Sequence, residues 1–559
     1  MSSRWECSGT SMSGSKLPDL RVLAFAGEEN IGRGYTFDLV LLSEPLQAGR
    51  AVQLQNDLMQ AKLLTLTGRR DTGESFERHG VAEEVRLLFS AGGAALFRLT
   101  LRPRVFRLDL SLHSRIFMNM ALPQLLDKLM REEGFTSGSD FEVKFGSGCK
   151  SRPLTCQYNE SSFNFLSRHL ERVGGYSYLA QTGGGDVLIL ADETTEVPAL
   201  PVRDDLTWSE QKADEVVHAF VRSLKAGPAK VCVRDYSSDR PGMTTTRAED
   251  ARNLRGGGEL SWYAGFGLFG EVDASGKAFS AQDAEEQAGK LSAARLRDLV
   301  SRSNRATGES NVPWMQAGHA FSLSGERFQL ITVRHVCNQA GDTEDEKLLL
   351  RAADLGSGLD GAEKGYRNSF ICHPLALGPF APELRAGRPS VGGLVHAKID
   401  ASGSGAYAEL DKDGRYKVKF FFPEKVIAAD AVVEQDGNYS IPLRMMQAHA
   451  GASSGIHFPL LKGAEVLVAF TDGDPDRPVI MGAMPNPEHP SVVVDESSRE
   501  NIIKTPGGHT ISLTDTEGKK NMTLETPGGN KIVMNDEAGK RELRLQFPGG
   551  GGFIRLHEK

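Results

Sequence analysis

Short runs with apolar side chains at alternate positions dominate the first hundred residues. Leu20–Phe25 and Tyr35–Leu41 flank a turn-rich stretch at Gly27–Gly34, and Ala95–Leu101 and Val105–Leu110 follow, so the pattern predicts strands over 17–110. The period then changes. Leu122, Leu125, Leu126, Leu129 and Met130 share one helical face that ends at Gly134, and Phe163, Leu166, Leu170 and Val173 share another that ends at Gly174. Strands resume at 176–179, 186–191 and 231–234. Residues 281–304, rich in Ala, Leu, Glu and Arg and free of Pro, predict a third helix, whereas the pattern over 240–310 assigns no place in a fold.

A proline-rich connector, Pro374 to Pro389, marks a boundary. Beyond it the alternating pattern returns at Val391–Ile399, Arg415–Phe422, Ile441–Gln447, Ala464–Phe470 and Pro478–Gly482. Five strands in about 95 residues with no helical period predict a small closed barrel of the oligomer-binding (OB) type.

The tail repeats itself. Thr505-Pro-Gly-Gly508, Thr526-Pro-Gly-Gly529 and Phe547-Pro-Gly-Gly550 recur every 21 residues. Between these turns the apolar positions have period two: Ile511 and Leu513, Met522 and Leu524, Ile532 and Met534, Leu543 and Leu545, then Ile554 and Leu556. Each strand offers one narrow apolar face that a single copy cannot bury, although full burial of each large side chain is worth about 1.5–3 kcal/mol. Three chains wound about one axis would bury all of them, so the repeat predicts a homotrimeric β-helix with the first eight of these residues along its axis.

Composition narrows the function. Lys+Arg 65 against Asp+Glu 73 gives a net charge of −8, which argues against general attraction to nucleic acid or anionic lipid. Gly and Pro together make up about 15% of the 559 residues, a turn-rich balance that fits a mainly β protein. No apolar run is long enough to span a bilayer, and the first residues carry no signal-peptide core. The chain is therefore expected in the cytoplasm unless a machine exports it folded. Six dispersed cysteines without a C-x-x-C pair read as free thiols, and neither Cys372-His373 nor His335-x-Cys337 completes a metal set.

Candidate chemistry is sparse. Gly451-Ala-Ser453-Ser-Gly455 matches the nucleophile-elbow pattern, but a strand rather than a helix is predicted after it, so a hydrolase using Ser453 is the minor reading. Asp472-Gly-Asp474-Pro-Asp476 opens like a calcium loop but has Arg477 and Ala483 where Gly and an acid are required; turn hydrogen bonds and a pair with Arg477 are expected instead. No nucleotide loop is present. His113, His169 and His457 read as surface or satisfied core groups. No catalytic residue, cofactor or metal is predicted.

The stretch Gly463-Ala-Glu-Val-Leu-Val-Ala-Phe-Thr-Asp-Gly-Asp-Pro-Asp-Arg-Pro-Val-Ile-Met-Gly482 resembles the VgrG spike proteins of type VI secretion, themselves similar to phage tail hub and spike proteins. His113–Phe117, Cys156–Arg172 with Gly175-Tyr176, and Asp411–Phe420 are similar to further signatures of that family. The resemblance implies a mainly β chain: a hub over 1–372 of two barrel-like subdomains plus helices, a linker over 373–390, an OB domain over 391–488, and a triangular intertwined β-helix needle over 489–559. It implies a non-enzymatic spike that sits on an Hcp-like inner tube, contacts baseplate proteins, carries a PAAR-type tip protein and effectors or their adaptors, and pierces a target membrane transiently. Residence is expected in the bacterial cytoplasm until assembly, then outside the cell or in its target. Phe553, Ile554, Arg555 and Leu556 would form the tip surface, with Ile554 and Leu556 inward. Phe421-Phe-Pro423 and Gln447-Ala-His-Ala-Gly451 depart from the usual family pattern, which leaves an extracellular contractile particle or phage-like tail as an alternative host. With nothing after Lys559, no fused C-terminal effector is expected.

Overall fold

The computed structural model describes residues 4–47, 49–91, 94–146, 149–211, 215–236, 243–249, 258–263, 281–340, 364–428, 431–434, 439–550 and 552–557. The chain forms two compact units, Met1–Ser390 with Glu424–Glu434, and Val391–Pro423 with Gln435–Lys559.

Two closed six-stranded barrels organise the first unit. One runs Arg4–Thr10, Leu63–Arg69, Ser75–Ala91, Ala94–Arg102, Gly34–Leu42 and Leu20–Asn30, and closes where Cys7 pairs with Leu20. The other runs Glu326–Asn338, Ala320–Leu323, Asp205–Trp208, Val216–Leu224, Asn304–Ser310 and Gly365–Pro374, and closes between its first and last strands. Leu20–Asn30 and Glu326–Asn338 also pair with each other, Phe25 opposite Cys337, so one ladder belongs to both barrels. Closure removes the free edges that a sheet would otherwise present. Inside lies a single core that includes Trp5, Phe25, Phe37, Phe97, Trp314 and Phe328.

A polar group crosses this junction. Glu29 and Arg78 from the first barrel form an ion pair, Arg78 Nη2 donates to the Met315 carbonyl at 2.8 Å, and His335 from the second barrel stands 3.3 Å from Glu29. His335 Nδ1 and the Tyr366 hydroxyl are 2.6 Å apart. Glu29, Arg78 and His335 are buried, where an unpaired charge would be costly.

The helices begin and end for local reasons. Ser161 Oγ accepts a hydrogen bond from Asn164 N at 3.0 Å at the start of Ser162–Val173, and Gly174 (φ +78°) ends it. Leu122–Glu132 starts with a proline in its first turn. The expected strand Val105–Leu110 is instead a 3-10 helix, Arg104–Asp109, nucleated by Pro103, whose carbonyl accepts from Phe106 N at 2.9 Å. Its buried residues, Val105 and Leu108, are three apart, a spacing that fits the 3-10 period. The helix Arg50–Met59 buries Ala51, Leu54 and Leu58 within a region read as strands only. Part of the region left unassigned above is a three-stranded sheet, Lys230–Tyr236 between Met243–Glu249 and Glu259–Tyr263; Val231 and Val233 pack on Leu291, Leu296 and Val300 of the helix Ala281–Ser303. Much of the Gly-rich stretch 256–270 lies outside the described residues.

All six cysteines are free thiols. Burial, helped by Asp19, pushes Cys7 up to about 12, as befits a core side chain rather than a nucleophile.

The second unit contains the five predicted barrel strands in the order Ile441–Leu443, Tyr416–Phe420, Val395–Asp400, Glu465–Phe470, Pro478–Ala483. A Met445–Ile480 bridge joins the two ends, and alternate side chains such as Val418, Val466 and Val468 fill the interior. Residues 424–434, which the strand pattern had grouped with this barrel, instead contribute Lys425–Ala428 and Val432–Glu434 to a first-unit sheet with Leu112–Ala121 and Ser151–Ser161. The Asp-rich loop is a turn: Asp474 Oδ1 accepts from Asp476 N at 3.0 Å, and Arg477 Nη1 lies 3.5 Å from Asp472.

Candidate trimerisation face

Six strands, Glu500–Lys504, Thr510–Thr514, Asn521–Glu525, Lys531–Asn535, Glu542–Gln546 and Phe553–His557, form an antiparallel meander at the end of the chain. The turns explain its regularity. In Thr505-Pro-Gly-Gly508 the proline occupies the position where its fixed φ suits a type I turn, Gly508 N donates to the Thr505 carbonyl at 2.9 Å, and Gly508 takes φ +89°. Thr526–Gly529 repeats this, with Gly529 at φ +81°. A side chain at Gly529 would lie 3.2 Å from Pro548, so successive turns stack closely.

Equal turns keep the register constant. Ile503, Ile511, Leu524, Ile532, Leu545 and Ile554 stand opposite one another from strand to strand, and so do Asn501, Leu513, Met522, Met534, Leu543 and Leu556. Because strand side chains alternate, these two columns occupy one face. The eight predicted axis residues all lie in them, together with Ile554 and Leu556. The periodicity argument missed Ile503, which begins the first column; the same two-residue spacing in Asn501-Ile-Ile503 could have revealed it. The other face holds Thr523, Val533, Arg544 and Arg555 opposite one another, and Phe553 with Arg555 fall there.

This face has no core. None of the described residues between 501 and 557 is buried: Met534 is 48% exposed, Leu545 40% and Ile554 64%. A contiguous apolar face of this kind marks an interaction surface. The last strand pairs with Glu542–Gln546 on one side only, and its Phe553, Ile554 and Leu556 are each about two-thirds exposed.

Ser453 sits in an unrelated environment. Gly451–Gly455 is a hairpin turn in which Gly451 N donates to the Ser454 carbonyl at 2.7 Å and Ile456 N to the His449 carbonyl at 3.0 Å. The next regular element is the strand Glu465–Phe470, so the helix that a nucleophile elbow requires does not follow. His449 Nε2 is 3.3 Å from the hydroxyl of Ser454, not that of Ser453.

Residues 28–341, more than half of the chain, match the family model described as the phage tail baseplate hub (GPD). The chain belongs to the phage tail baseplate hub family. Within this hub protein, residues 428–484 match the type VI secretion system/phage-baseplate injector OB domain, and residues 501–551 match the phage baseplate V C-terminal trimerisation domain. The type VI secretion system spike protein VgrG5 of Pseudomonas aeruginosa is 27% identical over 90% of this chain and 61% of its own length; VgrG4b of the same organism is 26% identical over 90% and 60%. This hub chain thus spans about three-fifths of the length of those relatives. Among solved structures, a chain of a lidless PdpA-VgrG complex superposes with a TM-score of 0.60 at 9% identity, covering 98% of each chain. The E. coli c3393 protein, a type VI secretion component similar in structure to the T4 tail proteins gp27 and gp5, gives 0.53 at 19% identity, covering 83% of this chain and 97% of its own. These likenesses bear out the mainly β hub architecture with OB and trimerisation domains.

Proposed function

We propose that the chain is the non-enzymatic, homotrimeric spike of a contractile injection machine of the type VI class. The observation that carries this reading is the pair of registered apolar columns on one face of a sheet without a core. Three such faces turned inward build a prism with three-fold symmetry, and eleven of the twelve column positions, all but Asn501, are apolar. The resulting needle, 489–559, follows an OB domain within 391–488, from which residues 424–434 depart to the hub, a linker over 373–390 and the double-barrel hub.

In this reading the hub sits on an Hcp-like inner tube and contacts the baseplate. The blunt end at Phe553, Ile554, Arg555 and Leu556 receives a PAAR-type tip protein, and effectors or their adaptors ride on either. Hydrogen bonds between strands and the shared core pass axial load along the prism, so the spike pierces a membrane without unfolding locally. The chain folds in the cytoplasm and leaves when the machine fires. Among the described residues, no helix is long and apolar enough to cross a membrane.

Light scattering on the purified full-length chain tests the proposal. A mass near 182 kDa, three times the 60.7 kDa of one chain, is expected; a stable monomer overturns it.

A further inference from the structure

Inside the first unit, the helices Leu122–Glu132, Ser162–Val173 and Ala281–Ser303 and the strand Ser151–Ser161 border a cavity of about 150 Å³. Two polar side chains line it, each with a buried nitrogen left unpaired among the described residues. His169 is 4% exposed, and among the described residues neither its Nε2 nor the buried Nε2 of Gln287 has a hydrogen-bond partner. The expectation that His169 is a satisfied core group therefore fails. A buried nitrogen left in this state carries a desolvation cost that a ligand oxygen would remove.

The wall around these two nitrogens is cationic. Lys150, Arg152, Arg172 and Lys290 line it against two carboxylates, Asp192 and Glu193, and Lys290 is itself paired with Glu286 at 2.9 Å. The carboxylates are already engaged: Asp192 accepts from Gly146 N at 2.8 Å and Thr194 Oγ1 at 2.6 Å, and Glu193 pairs with Arg297 at 3.3 Å. Burial first, then Arg168, Arg152 and Arg388, hold His169 well below its ordinary range, so the ring is neutral and offers one N–H. Four cationic side chains against two carboxylates in the lining, with a neutral N–H donor among them, favour an anion over a cation. Met120, Leu125, Phe145 and Leu291 also line it, an apolar surface that inorganic phosphate would leave unused. A cavity of this volume accommodates a benzene-sized group.

We propose that this cavity binds a small carboxylate bearing one ring or a short aliphatic chain, its oxygens accepting from His169 and Gln287 and its apolar part lying against Leu125 and Phe145. The site goes beyond the spike reading and does not depend on it.

Calorimetric titration of the full-length chain with hexanoate, benzoate, acetate and inorganic phosphate tests this. Expected are saturable binding of hexanoate or benzoate at one per chain, at least tenfold tighter than acetate, and a loss of at least tenfold in Gln287→Leu. Leu125→Trp, which fills the cavity, is expected to abolish binding; both variants are first checked for an unchanged melting profile, and the Gln287→Leu result decides if Leu125→Trp fails to fold. No saturable binding, equal binding of acetate and hexanoate, tighter binding of phosphate than of either carboxylate, or an unaltered Gln287→Leu would each overturn the proposal.

Discussion

Arg78 Nε lies 2.5 Å from Glu29 Oε1 with both side chains 4% exposed, at the seam where the two barrels share a ladder. Glu29 also accepts from Ala317 N at 3.2 Å, so the pair ties a loop of the second barrel to a strand of the first. Removing one partner leaves the other charge buried and alone. Glu29→Leu is expected to destabilise the chain by about 3–5 kcal/mol, whereas Glu29→Leu with Arg78→Met recovers most of that loss. Denaturant unfolding of the two variants beside the parent checks this, and equal midpoints for the single and double variants would count against it.

The same region makes stability depend on pH. Burial alone would raise the Glu29 carboxyl, but the charge of Arg78 and the contact with His335 outweigh it and hold the group at about 2. Its contribution is complete above the ordinary carboxyl range near 4.5 and is lost as pH falls toward 2. Burial lowers His319 to about 4, so the unfolded chain takes up a proton first as pH drops below 6.5. Both effects have the same sign. Melting temperatures are expected to fall steadily from pH 7.5 to pH 4, with His319→Gln flattening the upper part of the curve; a flat parent profile would sink the argument.

Leu524 stands between Ile511 and Ile532 in the first apolar column. In the proposed prism, Leu524→Asp places three like charges around one axis. The measured mass is expected to fall from near 182 kDa to near 60.7 kDa, while the far-UV spectrum of the hub stays unchanged because Leu524 is only half-buried within its own chain. A trimer that survives the substitution would contradict the inward placement of the column.

Deletion of residues 547–559 removes the last strand and its exposed Phe553, Ile554 and Leu556 but leaves five of the six rungs of each column intact, from Asn501 and Ile503 to Leu543 and Leu545. Loss of a PAAR-type tip protein in a pull-down, with trimeric mass retained, is the expected outcome. Undiminished capture by the shortened chain would move the tip site elsewhere.

Local pattern carried much of this architecture and long-range pairing carried the rest. The helix face at Leu125–Met130 and the OB strands are visible because one period or one turn signal specifies each, whereas the face read as Phe163, Leu166, Leu170 and Val173 is right only at Leu166 and Leu170: Phe165 and His169 are buried beside them and Val173 is exposed. The needle face is visible for the same reason, since equal Pro-Gly-Gly spacing fixes the register. The ladder between Leu20–Asn30 and Glu326–Asn338 leaves no such mark, because about 300 residues separate strands that neither turn nor period links. Pro103 and the three-residue spacing of Val105 and Leu108 were readable but resemble a strand when only alternation is sought. Arg50–Met59 was likewise readable from Ala51, Leu54 and Leu58. The cavity around His169 was not, because its lining comes from elements as far apart in the chain as Met120 and Leu291.

The excursion of residues 424–434 limits how this protein can be recombined. Lys425–Ala428 runs parallel to Leu112–Ala121, with Ile427 opposite Phe117 and fully buried in the first-unit core. A hub cut at the proline-rich connector would therefore lose a strand it needs, and a barrel exchanged as one block would take that strand with it. Chimeras that exchange only the terminal meander, joined after Ala483, keep that strand with its native partner, so the last six strands can be swapped without disturbing the core of the first unit.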